Sequence, residues 1–66
     1  MNVYITGQDM ETEQFEDAMR VDGYNVSFQG SHDAGTTIAV EVSGLAEANT
    51  VATAAGNRKL DWFILR

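Results

Sequence analysis

The apolar residues of this chain follow two different spacings, and the order of these spacings constrains the fold more than any other feature. A spacing of two predicts strands over residues 1–6, 24–29 and 36–42. A helical spacing predicts helices over residues 9–21 and 43–56. The chain is therefore predicted to mix strands and helices in one α/β core.

The ends of both predicted helices carry residue types that helix termini favour. Asp9 is the predicted N-cap of the first helix, and Gly23 is its terminator. Ser43 is the predicted N-cap of the second helix, with Glu47 near the reciprocal capping position and Gly56 as terminator. These residues set the predicted bounds of both helices.

The chain ends in an apolar run whose structure the spacing leaves open. Within residues 58–66, four large apolar side chains are consecutive, namely Trp62, Phe63, Ile64 and Leu65. Such a run suits a strand buried on both faces or an apolar turn of a closing helix. With a strand here, the predicted order of elements is β-α-β-β-α-β.

Two folds fit this order in the single small domain, residues 1–66, that the length supports. One is a parallel sheet of four strands with helices on both faces. The other is the ferredoxin-like split βαβ fold, an antiparallel sheet with both helices on one face. The short loop after the first helix and apolar pairs such as Phe63 and Leu65 permit burial on both faces, whereas alternation in the second and third strands favours a half-exposed sheet. We expect the parallel sheet and keep the antiparallel sheet as the alternative.

Composition limits the compartment and the classes of partner. The chain has no cysteine, which excludes disulfides and thiolate zinc sites and suits a reducing compartment. It shows neither a charged and apolar leader nor an apolar run long enough for a membrane span, so we expect a cytoplasmic protein that makes no membrane contact. Ten acidic and four basic residues give a net charge of -6, which disfavours direct binding of nucleic acid.

Four segments of the sequence occur in an order that one known family shares. They are Val3-Tyr4-Ile5-Thr6-Gly7, Gly23-Tyr24-Asn25-Val26-Ser27, Thr36-Thr37-Ile38-Ala39-Val40 and the alanine-rich helix that ends at Gly56. These segments resemble the BRCT domain family, including the domain at the end of NAD-dependent DNA ligases. The resemblance touches most of the chain, and it implies the parallel sheet with helices on both faces.

Thr6 and Gly7 match the position at which the BRCT family binds phosphoserine. A hydroxyl, a close backbone amide and the dipole of the following helix would bind phosphate there. The family adds a lysine from its second helix, whereas this chain has no lysine or arginine between Ser43 and Ala55. The resemblance thus implies a weak phosphate or DNA-end site at Thr6 and Gly7, and the simpler interpretation is a hydrogen-bonded turn.

Acidic residues are concentrated in the first predicted helix. Six of the ten acids fall between residues 9 and 22, namely Asp9, Glu11, Glu13, Glu16, Asp17 and Asp22. Most such runs are solvated faces. The alternative is that Glu13, Glu16 and Asp17 bind a basic partner by imitating the phosphate row of DNA, which would make the protein an inhibitor of a nucleic-acid-binding protein.

The aromatic and apolar residues Tyr4, Trp62, Phe63 and Leu65 offer more apolar area than a core of this size needs. We therefore predict that they form a partner-binding surface, either for another protein or for a second copy in a homodimer. The leading function is a non-enzymatic module for protein–protein interaction, which docks through these anchors.

Catalytic and metal chemistry have little support in the sequence. His32 is the only histidine, and it lies beside Ser31 and Asp33 in a predicted flexible loop over residues 30–35. No third member of a catalytic triad and no set of converging metal ligands accompanies it. We therefore predict no catalytic residue, no metal site and no cofactor.

Overall fold

A computed structural model describes residues 1–65, and Arg66, the last residue of the predicted domain, lies outside the described residues. The order of elements is the predicted one. They are β1 (Asn2–Gly7), α1 (Asp9–Val21), β2 (Asn25–His32), β3 (Gly35–Glu41), α2 (Leu45–Asn57) and β4 (Asp61–Leu65).

The four strands form one antiparallel sheet in the order β2-β3-β1-β4. The predicted parallel sheet is therefore wrong, and the antiparallel alternative fits. The reason is the connection between β2 and β3, which contains only Asp33 and Ala34. A parallel pair needs a crossover of a dozen or more residues, whereas two residues suffice for a hairpin.

Both helices pack on the same face of the sheet, so the predicted placement of helices on both faces is also wrong. Val3 and Ile5 of β1 are fully buried, and they share one core cluster with Phe15 of α1 and Val51 of α2. The side chains that alternate with Val3 and Ile5 on β1 point to the opposite face of the sheet, where they are only half-buried. One face of the sheet is thus open.

The core combines large side chains on the sheet and α1 with small side chains on α2. Three alanines of α2, Ala48, Ala52 and Ala55, are buried, which permits the close approach of this helix to the sheet. One polar side chain lies in this core. Thr12 of α1 is fully buried, and its Oγ1 has no hydrogen-bond partner among residues 1–65.

The starts of the helices differ by one residue from the predicted caps. Gln8 is the N-cap of α1, and the Asp9 carboxylate instead accepts a hydrogen bond of 2.6 Å from the Thr36 hydroxyl. Gly44 is the N-cap of α2. Ser43, the residue before this N-cap, is hydrogen-bonded to Glu47. The Glu47 carboxylate accepts hydrogen bonds from the Ser43 backbone N–H at 2.7 Å and from the Ser43 hydroxyl at 3.0 Å. The hydrogen bond from the Ser43 backbone lowers the pKa of Glu47 below its usual value, and the hydrogen bond from the Ser43 hydroxyl lowers it further.

The second helix continues past its predicted terminator and ends at Asn57. The left-handed residue that follows the helix is Lys59, with φ of 61°, and not Gly56. The Leu60 backbone N–H then donates to the Ala55 carbonyl at 3.0 Å, which turns the chain back toward the sheet. Leu60 is buried, so this turn delivers β4 directly to the edge of β1.

Residues 30–35, predicted as a flexible loop, belong mainly to a hairpin. β2 extends to His32, and its pairing with β3 shifts register at a bulge between Phe28 and Gly30. Gly35 has φ of 130°, and a Cβ there would overlap the backbone carbonyl of Gly7. Glycine is therefore required where the hairpin meets the end of β1.

Candidate interaction surfaces

The C-terminal strand lies at an edge of the sheet. β4 pairs with β1 on one side and with no other strand among residues 1–65 on its other side. The backbone N–H and C=O groups on that outer side are available to a further strand. The apolar run therefore forms a strand, as in the predicted order of elements, but this strand lies exposed at an edge and is not buried on both faces.

Both faces of β4 carry apolar side chains. On the helix side, Trp62 lies opposite Ile5. On the open side, Phe63 lies opposite Tyr4, and the two rings stack with centroids 5.1 Å apart and planes 10° apart. Trp62, Phe63 and Leu65 remain 47%, 48% and 57% exposed, respectively. The strand therefore presents apolar area above, below and along its free edge.

The opposite edge of the sheet is built differently. The exposed positions of β2 include Asn25, Ser27 and Gln29, and the bulge at Gly30 interrupts the regular ladder. Polar side chains and bulges are devices that keep an edge strand from pairing with another chain. Phe28 is the exception, since it is 62% exposed, but it stands alone on this strand. The two edges of the sheet therefore differ in their suitability for docking.

The four residues predicted to form a partner-binding surface do not all lie on the same face of the sheet. Tyr4, Phe63 and Leu65 lie on the open face, because Tyr4 pairs with Phe63 and Leu65 pairs with Asn2 of the same strand. Trp62 lies on the helix side. The two parts meet only at the free edge of β4, so a partner that contacts all four must approach along this edge.

The predicted phosphate site is not assembled as the resemblance implies. The Thr6 hydroxyl is 2.8 Å from the Thr37 hydroxyl, which in turn is 2.9 Å from His32 Nε2. Thr6 points to the open face, because its neighbours Ile5 and Gly7 point to the helix side, where α1 begins. A Cβ at Gly7 would overlap the Leu60 side chain, so this glycine permits close packing. The hydroxyl and the helix terminus are on opposite sides of the sheet.

The three acidic residues predicted to bind a basic partner lie together, but one of them forms a salt bridge within the chain. Glu13, Glu16 and Asp17 line a groove of about 450 Å³, together with Asp9, Thr36 and Phe28. Glu16 accepts hydrogen bonds from Arg20 Nε at 3.0 Å and Nη2 at 2.8 Å. The same Arg20 Nη2 donates to the Val26 carbonyl at 2.8 Å. Among residues 1–65, Glu13 and Asp17 form no ion pair, so these two carboxylates remain free in the groove.

His32, the residue considered for acid–base chemistry, lies at the end of β2. His32 contacts the Thr37 hydroxyl, on the open face and away from any second imidazole or thiol, since the chain has neither. Within residues 1–65, no group of three or more histidine, aspartate or glutamate side chains could hold a metal ion. No helix within the described part of the chain combines the length and apolarity of a membrane span.

The comparisons with known proteins supply no relative from which a site could be transferred. The chain matches no family model, no curated protein and no solved structure. The resemblance to the BRCT family therefore stays a prediction, and it does not extend to the sheet, which is antiparallel.

Sequence reasoning did not single out two features of these surfaces. The exposure of Phe28 was missed, although Gly30 two residues later is the type of residue that marks a bulge within a strand. The free edge of β4 was also missed. The edge position of β4 depends on the pairing of β1 with both β3 and β4, which no local pattern in the sequence specifies.

Proposed function

We propose that this protein is a non-enzymatic protein-interaction module that binds a strand of its partner at the free edge of β4. The observation that carries this proposal is the contrast between the edges. β4 has exposed apolar side chains on both faces and no bulge, whereas β2 is polar and bulged. An unprotected apolar edge strand is a template for pairing with another chain.

Such a complex would use two kinds of contact. Backbone hydrogen bonds along residues 61–65 would supply affinity for an extended segment of any sequence. Side chains of the partner would select it by packing on the stacked rings of Tyr4 and Phe63 on one face and on Trp62 on the other. Rigid aromatic anchors of this type dominate the binding energy of many interfaces.

A strand peptide tests this function without knowledge of the natural partner. We expect a peptide with the sequence of residues 60–66 and a solubilising lysine tail to shift the backbone amide resonances of Asp61–Leu65. Phe63→Ser should weaken this binding about tenfold or more, because the burial of an aromatic ring contributes a few kcal/mol.

A matched control is available on the other edge. Phe28→Ser makes the same chemical change at a phenylalanine that is at least as exposed, 62% against 48%. It should leave peptide binding unchanged. Shifts confined to β2, or equal weakening by both variants, would contradict the proposal.

A second function rests on the acidic groove, and the free carboxylates of Glu13 and Asp17 beside Phe28 favour it. In this alternative the protein inhibits a nucleic-acid-binding protein by occupying its basic groove. Binding to an arginine-rich peptide should then fall steeply as salt rises. The double substitution Glu13→Gln and Asp17→Asn should abolish it, whereas Glu11→Gln and Asp22→Asn, equal in charge but outside this groove, should not.

A further inference from the structure

We propose that the strand bound at β4 is the β4 strand of a second copy of this chain, antiparallel about a two-fold axis at Phe63. This inference rests on the proposed function of the β4 edge and names its partner. The result would be one continuous sheet of eight strands, since each copy contributes the four strands of its own sheet.

The sequence of β4 is self-complementary in one register. Residues that lie opposite each other in antiparallel strands point to the same face of the sheet. In a symmetric pair, the two-fold axis must therefore lie midway between the two copies of one residue, which then face each other. An axis at Phe63 pairs all of Asp61–Leu65 with the second copy. Trp62 then lies opposite Ile64, apolar against apolar, and Asp61 lies opposite Leu65 at the two ends of the paired segment. An axis at Trp62 or Ile64 would leave one end of the strand without a partner.

The same register continues the aromatic stack. Phe63 already stacks on Tyr4 of the adjacent strand, with centroids 5.1 Å apart. Because neighbouring strands are about 4.8 Å apart, Phe63 of the second copy would lie at a similar distance on the other side. Four rings, two from each copy, would then form one row on the open face and cover one another's exposed surfaces.

The distribution of charge permits this association despite the net charge of -6. The acidic helix α1 packs chiefly on β3, away from β4. In the proposed dimer the two β3 strands are five strand spacings apart, about 24 Å. This is about three Debye lengths at physiological salt, so repulsion between the two acidic helices is largely screened.

The second helix would add to the interface. α2 packs on β4 and β1, which places the two copies of α2 about 9 Å apart across the axis, within the usual distance for helix packing. Its exposed positions are uncharged and mostly small. They are Leu45, Ala46, Asn49, Thr50, Thr53, Gly56 and Asn57. The one charged residue of α2 is Glu47, whose carboxylate accepts hydrogen bonds from Ser43 at the start of the helix.

The mass of the unmodified protein in solution is the primary test. A strand pair and one helix contact form a small interface, so we expect a dimer that dissociates on dilution in the micromolar range, at about 1–100 µM. Light scattering should give twice the monomer mass of 7.2 kDa at high concentration. Phe63→Ser should return the mass to that of the monomer, and Phe28→Ser should not.

Cross-linking tests the register. The chain has no cysteine, so Asp61→Cys and Leu65→Cys each introduce a single thiol and keep the ring of Phe63. In an equal mixture of the two variants, an added oxidant should link Asp61→Cys to Leu65→Cys much faster than it links either variant to itself, because the register places these two positions opposite each other. Equal rates for the mixed and the self-linked dimers, or a dimer of the parent that the mixture does not trap, would overturn the register.

The outcomes separate this inference from the proposed function. If the parent has the monomer mass at all concentrations and the peptide of residues 60–66 still binds β4, the edge binds strands but the partner is another protein, and the dimer is refuted. If the peptide also fails to bind, both proposals are refuted. A dimer that Phe63→Ser leaves intact refutes the dimer at this edge.

Discussion

The buried hydroxyl of Thr12 leads to a quantitative prediction about stability. Its Oγ1 is fully buried and has no hydrogen-bond partner among residues 1–65. Valine has nearly the same shape with a methyl group in place of the hydroxyl. A buried polar group without a partner costs about 1–3 kcal/mol in free energy of unfolding, and valine and threonine have similar helix propensities. We expect Thr12→Val to stabilise the fold by about 1 kcal/mol.

The assay is urea denaturation followed by circular dichroism. For a domain of this size the slope m is about 1 kcal/mol per molar urea, so the midpoint should rise by about 1 M with no change in slope. The melting temperature should rise by about 4–8 °C. Thr12→Ser provides the opposite change, because it keeps the hydroxyl and removes the methyl, and should destabilise by about 1 kcal/mol.

A matched control lies on the second helix. Thr50 is exposed, and its hydroxyl donates to the Ala46 carbonyl at 3.1 Å, so Thr50→Val should not raise the midpoint. A decrease in stability on Thr12→Val would refute the reasoning, since it would show that the hydroxyl forms a favourable contact in the folded protein.

Three further predictions concern local features of the backbone and of one helix terminus. Gly35→Ala should destabilise by about 2 kcal/mol or more, measured by urea denaturation, because φ is 130° and a Cβ would overlap the Gly7 carbonyl. Gly56→Ala should instead stabilise by about 0.5–1 kcal/mol, because this position is helical and no atom lies within 4 Å of the added Cβ. The pKa of Glu47 is lowered in the folded state by hydrogen bonds from Ser43, so its stabilising contribution is present above its usual pKa of 4.5 and is lost as pH falls through the lowered value. Urea midpoints of Glu47→Gln should therefore be lower than the parent at neutral pH, and the difference should shrink in acid.

The sequence predicts the helices well because their information is local. The predicted bounds of the first helix, residues 9–21, agree with α1, since Gly23, the acidic first turn and the apolar spacing all point to the same segment. The second helix exceeds its predicted end, because Lys59 and not Gly56 adopts the left-handed conformation. A left-handed lysine has no signal in the sequence.

The direction of the sheet was predicted wrongly although the sequence contained the information. The segment between the second and third predicted strands spans at most residues 30–35, which is too short for a parallel crossover. The expectation of a parallel sheet rested on the resemblance to the BRCT family and on apolar pairs such as Phe63 and Leu65. The apolar run is instead explained by an edge strand whose side chains remain half-exposed.

The structure shows that three of the predicted surface residues, Trp62, Phe63 and Leu65, are exposed, but the geometry that relates them to Tyr4 was not predicted. Alternation along a strand already places Trp62 and Phe63 on opposite faces. The stacking of Phe63 on Tyr4 depends on the pairing of two strands that are far apart in sequence, and no local pattern specifies it. The pairing of Glu16 with Arg20 was accessible, because residues four apart on a helix are neighbours.

The pairing of Asn2 with Leu65 has a consequence for the connectivity of the fold. These residues are adjacent in space, so a short hairpin linker could join β4 directly to β1. New termini between Asp33 and Ala34 would then give a circular permutant with the element order β3-α2-β4-β1-α1-β2. The contacts between β1 and β4 would become local, whereas the longer pairing of β2 with β3 would join the two ends of the new chain, so folding would slow because more loop entropy is lost before that pairing forms.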